Sequence, residues 1–381
     1  MWQIFKHFFS LGWVSFGGPA AHLGYFQRHF VQKLGWLEQQ RYAQLIALSQ
    51  FLPGPGSSQV GFAIGYQRAG LLGGLTAFVA FTAPSFAIML GIAILNTSLT
   101  ENLFYQSVVH ALKLFAVVIV ADAVLTMSKQ FWQRQLGVMV GLCSTVIMLL
   151  YPGISSQLLV LAAAAVIGCL QPVTDSKATA SNHGLQPRWW ALAAFALLFI
   201  GLPLIATSSP LLGLFSEFFQ AGALVFGGGH VVLPLLQETL AGQVTNDSFL
   251  LGYASAQAIP GPMFTLATFL GADLLPESPI VGALVATLAI FTPGFLLMVG
   301  FLSSWHGLMA KPRLAAAVGA VNAAVVGLLL TAWYSPIFIS SVGSATDFAA
   351  VVVAFVMVRQ LHVPVTYVVA GFCLFGLLSA F

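Results

Sequence analysis

The residues able to do chemistry in this chain sit beside four short glycine and proline motifs that interrupt apolar sequence: Gly17-Gly18-Pro19, Pro53-Gly54-Pro55, Gly227-Gly228-Gly229 and Pro260-Gly261-Pro262. Proline removes a backbone donor and clashes with the preceding turn, while glycine permits sharp reversal, so each motif predicts one helix ending and another beginning. In Gly18-Pro19, Gly54-Pro55 and Gly261-Pro262 a glycine tolerated as N-cap precedes a proline suited to the first helical position. A helix start exposes unpaired N–H groups and about half a positive charge, and discontinuous transporter helices use such ends to hold anions. Ser57, Ser58 and Thr265 place hydroxyl donors just past two of the breaks, and His230 follows the third glycine of its motif. One isolated break reads best as a packing device. Four breaks at paired positions point instead to an anion site.

Two charges lie deep in the apolar run 102–127, Lys113 and Asp122. Intramembrane ionisable residues are functional candidates because burying them is expensive. Nine residues on a helix span about 13.5 Å, so the two cannot pair with each other. Lys113 is a candidate to offer charge to the anion and Asp122 to carry a coupling proton; the plainer readings are a snorkelling lysine and a carboxylate near the headgroups. His22, His110 and His230 lie near the same core, where a packing role is the commoner one. Cys143, Cys169 and Cys373 sit inside apolar runs without metal-ligand spacing and receive no chemistry. No metal or cofactor is expected. A hydrolase would need paired carboxylates, a Ser-His pair or HExxH at membrane depth, and none is found, so the chain does not read as an enzyme.

The elements that must carry these residues follow from composition. Of 381 residues 59% are hydrophobic and 6% charged, against roughly a quarter charged in soluble domains. Apolar runs close to the ~20 residues that cross a bilayer recur at 71–95, 102–127, 134–151, 154–172, 189–206, 279–303, 313–334, 343–359 and 363–381. They are apolar on every face, which predicts helices and not the alternating strands of a barrel. No cleavable signal peptide is expected, since the first run breaks at Gly17-Gly18-Pro19. Despite a net charge of +3 the basic residues are scattered singly between apolar runs, as topology determinants are, so nucleic acid is not an expected partner.

Residues 11–18 (LGWVSFGG) are echoed by 221–228 (AGALVFGG), Gln50-Phe51-Leu52-Pro53-Gly54-Pro55 by Gln257-Ala258-Ile259-Pro260-Gly261-Pro262, and Phe81-Thr82-Ala83-Pro84 by Ile290-Phe291-Thr292-Pro293. The preserved order predicts two related halves, 1–172 and 213–381, joined by a linker, 173–212, that contains one unpaired helix. Placing Lys129, Arg134, Lys177, Arg188, Lys311 and Arg313 on the cytoplasmic side brings Lys6, Arg28, Lys33, Arg41, Arg68 and Arg359 to that side too, with the N-terminus. Run 71–95 then points outward and its repeat 279–303 inward. The expected fold is an all-α polytopic membrane protein of two inverted-topology repeats, with re-entrant hairpins at 5–30, 40–68, 213–240 and 247–275.

At these motifs the chain resembles the chromate ion transporter family in its long form with two fused domains. The resemblance runs through Phe16-Gly17-Gly18-Pro19, His22-Leu23-Gly24, Trp36-Leu37, Leu52-Pro53-Gly54-Pro55 and Gly65-Tyr66, then Phe226-Gly227-Gly228-Gly229-His230, Pro234-Leu235, Pro260-Gly261-Pro262 and residues 319–325. It implies efflux of chromate from the cytoplasm across the bacterial inner membrane, driven by the proton motive force and giving chromate resistance, with sulfate as the analogous dianion. A sulfate or other oxyanion carrier is the alternative, and a channel or a homodimer stays open. Lys113 aligns with Ala320 and Ser57-Ser58 with Phe264-Thr265, so the halves are not chemically equivalent.

Overall fold

A computed structural model of the chain describes residues 1–99, 102–171, 187–226, 229–304 and 312–379. Among these residues every element of secondary structure is helical. Five helices are long and apolar enough to cross a membrane. Large apolar side chains such as Leu72, Leu159, Leu197, Leu204, Val353 and Leu374 face outward, as they do against lipid.

The first half opens with α1 (Trp2–Val14), which turns at Ser15–Gly17 into α2 (Gly18–Phe26) and its widened continuation Gln27–Lys33. Phe8 packs on Phe26 and Phe30 while His7 meets His29, so the two arms fold back as a hairpin. α3 (Gln39–Phe51) leads through Pro53-Gly54-Pro55 into α4 (Gly56–Leu99). α4 is two helices, because Ala69 and Gly70 leave helical geometry. Its arms 56–68 and 71–99 lie against one another where Gly65 touches Gly73, a contact with no room for a side chain on either. Thus the expected run 71–95 begins at a reversal and residues 40–68 form a second hairpin.

The second half repeats the plan. α9 (Pro210–Leu224) and α10 (Val232–Thr239) flank the third motif; α11 (Asn246–Ala258) and α12 (Leu266–Leu274) flank the fourth; and α13 (Pro279–Phe301) packs on α12 where Gly271 touches Gly282. Between the halves α8 (Trp189–Ile205) lies on α9 and α13 and is otherwise exposed.

α5 (Leu103–Phe131) and α14 (Pro312–Ala332, continuing to Ser341) pack together at the centre. Each is followed by a short hairpin, α6 (Gln135–Leu150) with α7 (Ile154–Leu170), and α15 (Ala345–Arg359) with α16 (Val365–Ser379). The hairpins are exchanged. α6 and α7 pack on α14, and α15 and α16 pack on α5. The contacts correspond: Gly168 of α7 lies on Ala316 and Ala317, and Gly376 of α16 on Ser107, Val108 and Ala111. These four helices have 15 to 17 residues, about 24 Å of rise, somewhat less than the ~30 Å hydrocarbon core.

Candidate functional site

The four breaks each lie between two helices that fold back on one another, and the described residues of the four tips meet. The Gly54 N–H donates to the Val225 carbonyl at 2.7 Å, and the Gly261 N–H to the Ser15 carbonyl at 3.0 Å. Ser15 and Val225 are equivalent residues of the two halves, as are Gly54 and Gly261, so each half gives its Pro-Gly-Pro N–H to the other. Within the first half His22 joins tips one and two. Its Nε2 lies 3.1 Å from the Ser15 carbonyl and its Nδ1 3.3 Å from Ser57 Oγ, a buried Ser–His pair that the sequence does not reveal because the two stand 35 residues apart. Because a carbonyl can only accept, Nε2 carries the proton, and a neutral ring then accepts the Ser57 hydroxyl at Nδ1. Within the second half His230 Nδ1 meets Tyr253 Oη at 3.0 Å and Gln257 Nε2 at 3.2 Å, joining tips three and four. The tips form a closed ring.

The ring lies level with Pro84 and Pro293, near the middle of the long arm of α4 and of α13. Gly12 abuts Phe81 and Pro84; Gly222 abuts Ile290. A Cβ on Gly54 would stand 2.8 Å from the Gly294 Cα, and one on Gly261 2.6 Å from Ser85 Oγ. Both glycines also hold positive φ, +121° and +104°, where side chains are disfavoured. Gln59 seals the seam, its Nε2 donating to the Pro53 carbonyl at 2.9 Å and the Gly294 carbonyl at 3.0 Å.

The breaks differ from the sequence expectation in two respects. Pro55 and Pro262 precede the first helical residues, Gly56 and Met263, and Pro19 is the second residue of α2. The reversal at each Pro-Gly-Pro is borne by the glycine, which moves the helix start one residue on. The Gly54 and Gly261 N–H groups, expected to be free for an anion, are taken by carbonyls of the opposite half. The N–H groups of the first turn of α4 keep the helix-start character. Gly227 and Gly228 lie outside the described residues; Gly229 is buried against Met263 and Pro19.

The charges of α5 are engaged elsewhere. Lys113 Nζ lies 2.6 Å from Asp247 Oδ1, Asp122 Oδ1 2.8 Å from an Arg359 nitrogen, and His110 Nε2 3.1 Å from Asp347 Oδ1. All three partners belong to the second half. Asp247 stands twelve residues before Ile259 on α11, which puts Lys113 about 18 Å from the ring along that helix. Lys113 is therefore not brought to the breaks, whereas Asp122 is near enough to act electrostatically on His230.

Several buried polar atoms near the ring have no partner among the described residues: Ser15 Oγ, Ser58 Oγ, Gln59 Oε1 and Thr82 Oγ1. A buried polar atom left unpaired costs about 1–3 kcal/mol, so a cluster of them marks a place where something polar belongs. Thr265, by contrast, donates to the Pro262 carbonyl at 2.8 Å. Ser15, Gln59, Thr82 and Ser85 were not among the residues expected from sequence. Ser15 and Thr82 stand inside the repeated stretches 11–18 and 81–84, and Gln59 and Ser85 just beyond repeated motifs, which is the only signal they carry. Two cavities lie away from the ring, one of about 470 Å³ between α6, α7 and α14 that includes Arg134 and Gln171, and one of about 580 Å³ beside α8 and α9.

Fold and site together define a polytopic helical membrane protein whose halves meet through broken helices. The family described as Chromate transporter matches residues 2–169 and again 212–377. The chain belongs to the chromate transporter family. It is 30% identical over 342 residues to a probable chromate transport protein of Synechococcus elongatus, covering 86% of this chain and 82% of that one. It is 28% identical over 342 residues to a chromate transport protein of Pseudomonas aeruginosa (86% and 79%), and 26% identical over 405 residues to one of Cupriavidus metallidurans (99% and 92%). No solved structure matches the chain.

Proposed function

We propose that this protein exports chromate from the cytoplasm across the bacterial inner membrane, drawing on the proton motive force, with its two halves in inverted orientation and its N-terminus inside. The observation that carries the reading is the ring of four helix breaks, midway along two long helices, in a chain of the chromate transporter family. An alternating-access carrier needs such a junction, where two related halves meet at mid-depth and separate on one side at a time. Cargo charge agrees with helix starts facing that junction. The loop charges agree with the orientation, since the basic residues other than Lys113 are read on one side and Asp247, Asp273, Glu277 and Asp347 on the other, where Lys113 meets Asp247. The halves are read as 1–172 and 213–381, with 173–212 between them.

Direction follows from the membrane field. Moving one charge through 100 mV is worth ~2.3 kcal/mol, so a dianion leaving an inside-negative cell gains about twice that. Sulfate, equal in charge and shape, is the second cargo to test. The decisive experiment is uptake of radiolabelled chromate into everted membrane vesicles, energised and then uncoupled, with sulfate as competitor. Uptake that collapses on uncoupling and resists sulfate is expected. Robust sulfate flux with no chromate flux would leave the fold unchanged and overturn the cargo.

A further inference from the structure

We infer that the two halves supply unequal pockets to the ring and that the oxyanion is bound in the first-half pocket alone, by neutral hydroxyl donors of Ser15, Ser58 and Thr82. This rests on the reading of the chain as an oxyanion carrier and names its binding groups.

Pseudo-symmetry exposes the difference between the halves. Around tips one and two the first half places Ser15, His22, Ser57, Ser58, Thr82 and Ser85, all buried. They are neighbours: His22 bonds Ser15 and Ser57, Ser85 Oγ donates to the Thr82 carbonyl at 3.0 Å, and the Gly261 that bonds Ser15 sits against Ser85. The second half puts Val225, Val232, Phe264, Thr265, Phe291 and Gly294 at the equivalent positions. Phe264 and Phe291 face each other with ring centroids 5.9 Å apart, and Phe291 continues into stacking with Phe295. That pair shows what the geometry puts together. Positions 57 and 82, equivalent to 264 and 291, are thus brought together, with aromatic rings in one half and hydroxyls in the other.

Partnering separates the two pockets further. Thr265, the one hydroxyl retained in the second set, is satisfied by its own backbone turn. Ser15 Oγ, Ser58 Oγ and Thr82 Oγ1 belong to residues 0 to 5% exposed and have no protein partner among the described residues. Ser58 belongs to the first turn of α4, whose N–H groups have no intrahelical acceptors, so its hydroxyl and the helix start lie together. A tetrahedral dianion has acceptors in every direction and suits a shell of O–H and N–H donors. The pocket residues include no lysine or arginine, which favours release: a site of dipoles holds a dianion without fixing it by a full charge.

The test uses full-length protein purified in detergent and, in parallel, reconstituted in vesicles, with chromate and sulfate as probes. Wild type should bind chromate in equilibrium dialysis. Ser15→Ala, Ser58→Ala and Thr82→Val should each weaken binding several-fold and the triple variant at least tenfold, with KM rising in step. Thr268→Val, which removes a hydroxyl from α12 of the second half, should leave binding within twofold. Because the three hydroxyls have no partner among the described residues, the melting temperature should hold or rise in the triple variant. Unchanged affinity in the triple variant would overturn the inference and assign the hydroxyls to bound water, and so would a melting temperature that falls together with affinity. Wild type that binds neither anion would instead remove the carrier reading on which the inference rests.

Discussion

At Gly54 one residue supplies a reversal, a close approach and a hydrogen bond to the other half. Its φ of +121° and its 2.8 Å clearance to the Gly294 Cα leave no room for a side chain, and the obstructing atom is backbone, which cannot swing away. Gly54→Leu and Gly261→Leu should abolish chromate flux while the protein still inserts, since strain of ~1–3 kcal/mol at one residue is small beside the burial of whole helices. Normal flux in either variant, measured with membrane abundance by immunoblot, would remove the breaks from the mechanism. Lys113 is held by an unequal pair. Its side chain is 9% exposed, while that of its partner Asp247 is 66% exposed. Removing Asp247 strands a buried ammonium, whereas removing Lys113 leaves a carboxylate already in contact with solvent. Asp247→Ala should therefore lower the melting temperature more than Lys113→Met, and Lys113→Met should leave the chromate KM within about twofold. A large KM increase for Lys113→Met would return the lysine to the anion path. The location of Lys113 in an apolar run was legible in the sequence. Its partner was not, because Asp247 lies 134 residues away in another hairpin.

At the scale of elements, the motifs announced four reversals, and four hairpin tips stand at those places. Helix ends are set locally by proline and glycine, so local sequence suffices to find them. The exchange of the α6–α7 and α15–α16 hairpins had no such signal. Helices apolar on every face carry no stripe that identifies a neighbour, and the glycines that choose the partner, Gly168 and Gly376, look like any others in a membrane helix. The exchange has a consequence for assembly. Each half alone would leave α5 or α14 without its covering hairpin, and α5 without the second-half partners of His110, Lys113 and Asp122. Fragments 1–172 and 213–381, expressed separately, should therefore be degraded or aggregate; co-expressed, they should co-purify in mild detergent. A fragment that folds alone as a monodisperse species would contradict the interlocked arrangement.

For the whole molecule, the ring as it stands is shut, with His22, Ser57 and Thr265 buried and two cross-half backbone hydrogen bonds at its centre beside the Gln59–Gly294 bond. Letting an anion in from one side requires the tips to part, and the net of such contacts is small, about 0.5–1.5 kcal/mol for each hydrogen bond. The membrane potential outweighs them. A dianion crossing 100 mV exchanges about 4.6 kcal/mol with the field, enough to set a concentration ratio on the order of 10³. In respiring everted vesicles the lumen is positive and acidic. If the dianion's own charge carries the energy, valinomycin with potassium should abolish most chromate accumulation and nigericin should spare it. Partial loss with each ionophore would instead mean that protons leave the acidic lumen in exchange for the anion, so that the field and the pH gradient drive transport together. The neighbourhood of Asp122 and His230 would then be the first place to seek the proton, with Asp122→Asn expected to flatten the pH dependence of flux.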